Sequence, residues 1–249
     1  MLHPSDRAGL KAHAKETLHA AIPGIYLISL LYLVMNAAPT VTLELRTFEQ
    51  MASAGSVERA MEIYQNSSLM TAGPLLTLAT LLLNLFLFLV LCGYHLYALR
   101  AVRGEETGGV ETLFACFRQL GRFAALYLLQ TVLIALWSIL FVIPGIIAAY
   151  AYRQAPYIML DDPDITPFEA LRASKKMMRG HKLECFILEL SFLGWGILSV
   201  FTFGLLNIWV NPYQMLTYAN YYNALSGWTP AAPEEPGEPE FTVEDWWKQ

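Results

Sequence analysis

The apolar residues of this chain come in runs too long for one face of a soluble helix or for the alternation of a half-buried strand. Four runs stand out, near 22–38, 73–99, 123–160 and 183–225. A helix needs roughly 20 apolar residues to span a bilayer core, so the last two runs exceed one crossing and read as hairpins. A breaker turns each of them, Pro144-Gly145 in the third run and Thr202-Phe203-Gly204 in the fourth. The pattern predicts an all-α membrane protein, a six-helix transmembrane bundle. Its spans are Ala21 to Ala38, Pro74 to Leu99, Phe123 to Ile143, Ile146 to Leu160, Leu183 to Phe201 and Leu205 to Leu225. Residues 1–227 make the bundle and its interfacial helices, 39–72 an external loop, and 228–249 a separate tail.

Composition agrees with that medium. Of 249 residues, 55% are hydrophobic and only 15% charged, against about 25% charged in an average globular chain. Mean hydropathy is +0.40. The net charge of -5 gives no basic surface for nucleic acid. Cys92, Cys116 and Cys185 are too scattered for a disulfide framework or a clustered metal site.

The basic residues set the orientation. All but Arg46, Arg59 and Lys248 of the 16 Lys and Arg fall in the leader, between the second and third spans, or from Arg153 near the cytoplasmic end of the fourth span to the start of the fifth. By the positive-inside rule those segments and both termini are cytoplasmic. No cleaved signal peptide is expected.

A gapless shift of 58 residues lays Glu111, Leu113, Ala115 and Arg118 on Glu169, Leu171, Ala173 and Lys176. It also lays Trp137, Ile139 and Leu140 on Trp195, Ile197 and Leu198. The chain thus contains an internal repeat of an amphipathic cytoplasmic helix followed by a membrane hairpin. In the second copy Thr166-Pro167-Phe168-Glu169 reads as a capping box. Phe168, Leu171 and Met178 can then face the membrane while Lys175, Lys176, Arg179 and Lys182 meet lipid phosphates. A solvated basic face explains the same charges.

Ionisable groups at membrane depth are costly and mark function by default. Glu189 lies amid Phe186, Ile187, Leu188, Leu190 and Phe192, with Arg153 and His95 as candidate partners. Three readings stay open: a structural pair with Arg153, a proton or cation site, or the lining of a ligand head-group site. Asn207, Asn211, Gln214, Tyr218 and Tyr221 share one face of the sixth span, and Tyr150, Arg153 and Tyr157 one face of the fourth. Asn84 and His95, eleven apart, share a face of the second. Such stripes either bond between helices or line a wet cavity open to the cytoplasm.

The chain has no H-E-x-x-H, G-x-S-x-G, Walker loop or Gly-rich dinucleotide fingerprint. Its five His never reach metal-ligand spacing within the membrane. Neither an enzyme nor a cofactor is expected. The acidic tail, rich in Pro and Glu with Trp246-Trp247 near its end, reads as disordered or extended, its aromatic end docking on the membrane surface or on a protein partner, or merely adhesive.

Several motifs recur in order in the second half. They are Ile143-Pro144-Gly145-Ile146-Ile147 with Tyr150 and Tyr152, Asp162-Pro163, Glu169-Ala170-Leu171-Arg172-x-Ser174 and Met178-x-Gly180-x-Lys182. Leu190-Ser191-Phe192-x-x-Trp195, Thr202-x-Gly204 and Trp209-Val210-x-Pro212-Tyr213 follow. Over about 7–225 the chain resembles the bacterial integral membrane family catalogued as domain of unknown function 975. The resemblance implies a six-helix-type inner-membrane protein and no particular activity. The functional expectation is a protein that binds or moves a lipid, anionic lipid included, or a small amphiphile. An accessory subunit of another membrane complex and an ion-coupled transporter are the alternatives.

Overall fold

A computed structural model describes residues 3–20, 24–37, 53, 55–59, 74–202 and 204–229, without the side chains of 74–77. Most of the loop read as external and the tail from 230 onward lie outside the described residues. What is described is helical, with no strand among those residues. In chain order the helices are α1 (Arg7–Ala20), α2 (Gly24–Ala37) and α3 (Pro74–Arg103). A 3-10 helix (Val110–Gln119) and α4 (Leu120–Leu140) follow. Then come α5 (Val142–Tyr152), α6 (Ala155–Asp161), α7 (Pro167–Met177), α8 (Lys182–Leu190), α9 (Leu193–Phe201) and α10 (Asn207–Ser226). Among the described residues three stretches are long and apolar enough to cross a membrane: Leu78–Arg103, Val110–Leu140 and Lys182–Phe201. A fourth is added if the bent pair α1 and α2, at 104°, counts as one span.

The third predicted run does not turn where expected. The chain turns at Phe141, whose extended backbone (φ -159°, ψ 147°) separates α4 from α5. Pro144 and Gly145 lie inside the first turn of α5. Proline is tolerated there because the first amides of a helix have no intrahelical acceptor. Gly145 serves packing instead: a Cβ on it would sit 2.2 Å from Ser138 Oγ, so its bare backbone lets α5 lie close against α4.

Two predicted spans are broken. The span expected over 146–160 divides into α5 and α6 at Arg153-Gln154, and Pro156 opens α6. The break exposes backbone groups that must be paired, and Ser174 of α7 pairs them. Its hydroxyl donates to the Ala151 carbonyl (2.8 Å) and accepts the Gln154 amide (3.1 Å). The span over 183–201 divides at Ser191-Phe192. There Ser191 Oγ bonds back to the Leu188 carbonyl, an alternative to the helix ladder that favours a bend. Lys11 of α1 reaches the same break, its Nζ 4.2 Å from the Phe192 ring centroid.

The two basic interfacial elements differ. The first is a 3-10 helix; its Leu113 carbonyl presses on α3 at Gly93, where a Cβ would lie 2.2 Å from that oxygen. The second, α7, carries the predicted capping box: Thr166 Oγ1 accepts from the Glu169 amide, and Glu169 Oε2 accepts from the Thr166 amide and hydroxyl. Those bonds hold the Glu169 carboxyl below the usual carboxylate range. Leu171 and Met178 do not face outward as expected; both are buried in the protein, and Phe168 alone of the three is exposed.

The larger core joins α2, α3, α4, α6 and α10 through residues such as Ile28, Leu89, Leu126, Met159 and Leu216. A smaller one binds α1 to α8 and α10 through Leu10, Met178, Leu188 and Tyr221. Outside both lies exposed apolar surface, with Leu81, Leu82, Val132, Leu136, Ile139, Ile146, Val200 and Phe201 all outward. Continuous apolar exposure on this scale fits a lipid surround.

Candidate functional site

Arg153 ends up at the break between α5 and α6, facing α8. Its Nη1 donates to Glu189 Oε1, and the Tyr150 hydroxyl donates to Glu189 Oε2. Tyr218 of α10 lies under the guanidinium, 4.6 Å from its ring centroid, and packs edge-on against Phe192 at 6.2 Å. The structure therefore brings Glu189, Arg153, Tyr150 and Tyr218 into one cluster. The pair is not sealed: 30% of the Arg153 side chain and 29% of the Glu189 side chain are exposed. Phe186 and Leu190 border it, both exposed.

Other predicted polar residues go elsewhere. His95 stacks on Tyr157 (4.5 Å) and Tyr157 on Tyr222 (5.1 Å), giving a column between α3, α6 and α10. Among the described residues His95 Nδ1 and the Tyr157 hydroxyl are buried without a hydrogen-bond partner. Asn207 lines a shallow cleft of about 350 Å³ with Gly196, Ser199 and Gly204, about 16 Å along α10 from Tyr218 at 1.5 Å per residue. Asn211 and Gln214 make no side-chain hydrogen bond among the described residues and are half-buried. Asn84 does not join His95: it donates back to the Thr80 carbonyl (2.9 Å) and is exposed. Lys175, Lys176 and Arg179 are exposed on one side of the α7 region, and Lys182 is half-buried.

Sequence reasoning missed a second charged cluster. Arg103 at the end of α3 grips Asp161 at the end of α6 with two bonds, 2.7 and 2.8 Å. Asp161 also accepts the Tyr222 hydroxyl (2.7 Å), and Arg103 Nε donates to Asn223 Oδ1 (3.1 Å). Trp228 closes over the guanidinium at 5.2 Å. It missed Asn220 as well, whose Oδ1 accepts from His13 Nδ1 (3.0 Å) while its Nδ2 donates to the Leu10 carbonyl (3.3 Å), fastening α1 to α10. Among the described residues no three His, Cys, Asp or Glu gather as metal ligands.

The described residues, all helical where regular, with three or four helices long and apolar enough to cross a membrane and many exposed apolar side chains, are compatible with a membrane protein. Residues 133–228 match the sequence model of the family described as a protein of unknown function, DUF975. The family resemblance carried by the motifs is thus shown over the second half of the chain, from the end of α4 through α10. No curated protein and no solved structure matches the chain.

Proposed function

We propose that this protein is a non-catalytic, polytopic membrane protein that holds the head group of a lipid or small amphiphile at the Arg153 and Glu189 cluster. One observation carries the reading. A guanidinium has five N–H donors; among the described residues Arg153 gives one to Glu189 and has Tyr218 as a second partner, which leaves the others without a protein acceptor. Donors left bare at membrane depth are costly, so an acceptor from outside the protein completes the site. The exposed Phe186 and Leu190 beside it suit an apolar stem.

In this reading the chain forms a six-crossing bundle: α2, α3, α4, α5 with α6, α8 with α9, and α10. The two broken pairs are single crossings, each interrupted next to the site. The basic segments and both ends lie in the cytoplasm by the positive-inside rule, and the family resemblance makes the membrane a bacterial inner one. The 58-residue repeat relates the 3-10 helix and α4 to α7, α8 and α9.

The test is the thermal stability of purified protein titrated with defined lipids. Anionic phospholipid is expected to raise the melting temperature, and Arg153→Lys, which keeps the charge and loses the fork, to remove most of that rise. If no lipid stabilises the protein and Glu189→Gln leaves stability unchanged, the reading fails.

A further inference from the structure

Four arginines crowd the ends of α3 and α4 and the 3-10 helix between them, and they divide into two kinds. Arg103 is spent on Asp161 and Asn223. Arg122 is spent on Gln119 and on the Asp162 and Ile165 carbonyls, at 3.2 and 2.8 Å. Arg100 and Arg118 have no side-chain acceptor among the described residues. Both line the same open cavity, about 470 Å³, between α3, the 3-10 helix, α4 and α6, with Arg100 half-buried and Arg118 exposed at its mouth. Gln119 adds a carboxamide to the wall, and Leu96, Phe123 and Met159 supply apolar surface. Phe114 and Leu120, exposed on the 3-10 helix and at the start of α4, put apolar surface beside it.

Guanidinium forks match phosphate oxygens in shape and charge. The cavity falls within the size range of small-ligand sites. Positive-inside placement alone asks only that arginines sit on this face; it does not ask two unpaired ones to share a cavity with an apolar wall. We propose that this cavity binds a phosphate group, held between Arg100 and Arg118, either as the head of an anionic lipid whose chain follows the apolar wall or as a free phosphate. The site shares no residue with the Arg153 cluster and stands or falls independently of it.

Native mass spectrometry of the full chain in detergent tests this with three probes: phosphatidylglycerol, phosphatidylcholine and inorganic phosphate. Phosphatidylglycerol should be retained in preference to phosphatidylcholine. Retention should weaken about tenfold in Arg100→Gln/Arg118→Gln, as expected for losing charge-assisted hydrogen bonds to the phosphate, and stay within about twofold in Lys175→Gln/Lys176→Gln, whose charges lie outside the cavity and act only through a screened field. Displacement by inorganic phosphate assigns recognition to the phosphate alone, and resistance to it assigns the lipid; either supports the site. Equal retention of both lipids, or equal losses in the two double variants, overturns it. Should the arginine variant fail to fold, Ala115→Cys in a chain keeping both arginines replaces it. Phosphatidylglycerol is expected to slow maleimide labelling at position 115, and an unchanged rate overturns the proposal.

Discussion

Arg103 with Asp161 and Arg153 with Glu189 both tie an earlier helix to a later one, yet the protein completes them to different degrees. At the first, the carboxylate takes two bonds from arginine and one from Tyr222, the arginine adds Asn223, and Trp228 covers it, leaving 10% of the Arg103 side chain exposed. At the second, the carboxylate is met by Arg153 and Tyr150, but the guanidinium keeps free donors and 30% of its side chain is exposed. The two carboxylates are equally exposed, 28% at Asp161 and 29% at Glu189, so the contrast lies in the arginines, and Arg103, covered and held by three bonds, serves to hold helices together. A pair left open has both strength and unused valence, and unused valence is what a ligand needs.

Breaking the closed pair should do the most damage. Asp161→Ala leaves Arg103 nearly buried with no counter-charge, and a loss of about 3 kcal/mol is expected in a detergent unfolding titration. Replacing both partners together should recover part of it, since no lone charge then remains. Glu189→Gln strips the open pair of its charge. It should cost less, about 2 kcal/mol by the same titration, because partial exposure softens the penalty for the unpaired Arg153. A larger loss at Glu189 than at Asp161 would reverse the comparison. Ser174→Ala probes the break beside the open cluster: it unpairs the Ala151 carbonyl and the Gln154 amide, and about 1.5 kcal/mol should follow.

The smallest effect lies outside both clusters. Thr166→Ala removes the α7 cap and should cost about 1 kcal/mol. The bonds from Thr166 hold the Glu169 carboxyl low, so its share of stability is full above the usual carboxylate pKa and disappears as pH falls through the lowered value. The difference between wild type and Glu169→Gln should therefore shrink on acidification, measured as melting temperature against pH.

Much of the helical plan was legible, because long apolar runs and the Thr166 to Glu169 box are local signals. The turns were harder. Proline and glycine at 144–145 looked like a breaker, but a first-turn proline costs a helix nothing, and Phe141 carries the turn without any turn-former's signature. The break at Arg153-Gln154 depends on Ser174, 20 residues away, and the bend at Ser191 on a serine that could equally have continued the helix. Of the candidate site, Glu189 and Arg153 stood out because charge is rare among apolar neighbours. Arg103 and Asp161 did not, since each sits in a charged segment where arginine and aspartate are ordinary. Asn220 and Tyr222 flank the predicted stripe on α10, and only the packing of α1 and α6 on that helix gives them partners.

The placement of the basic segments across a bilayer underlies both proposed sites, and single-cysteine labelling in intact cells measures it directly. Arg59→Cys is expected to react with a membrane-impermeant maleimide from outside, and Lys176→Cys only after the membrane is opened. Reaction of both from the same side, or labelling of Lys176→Cys in unopened cells, would contradict the account.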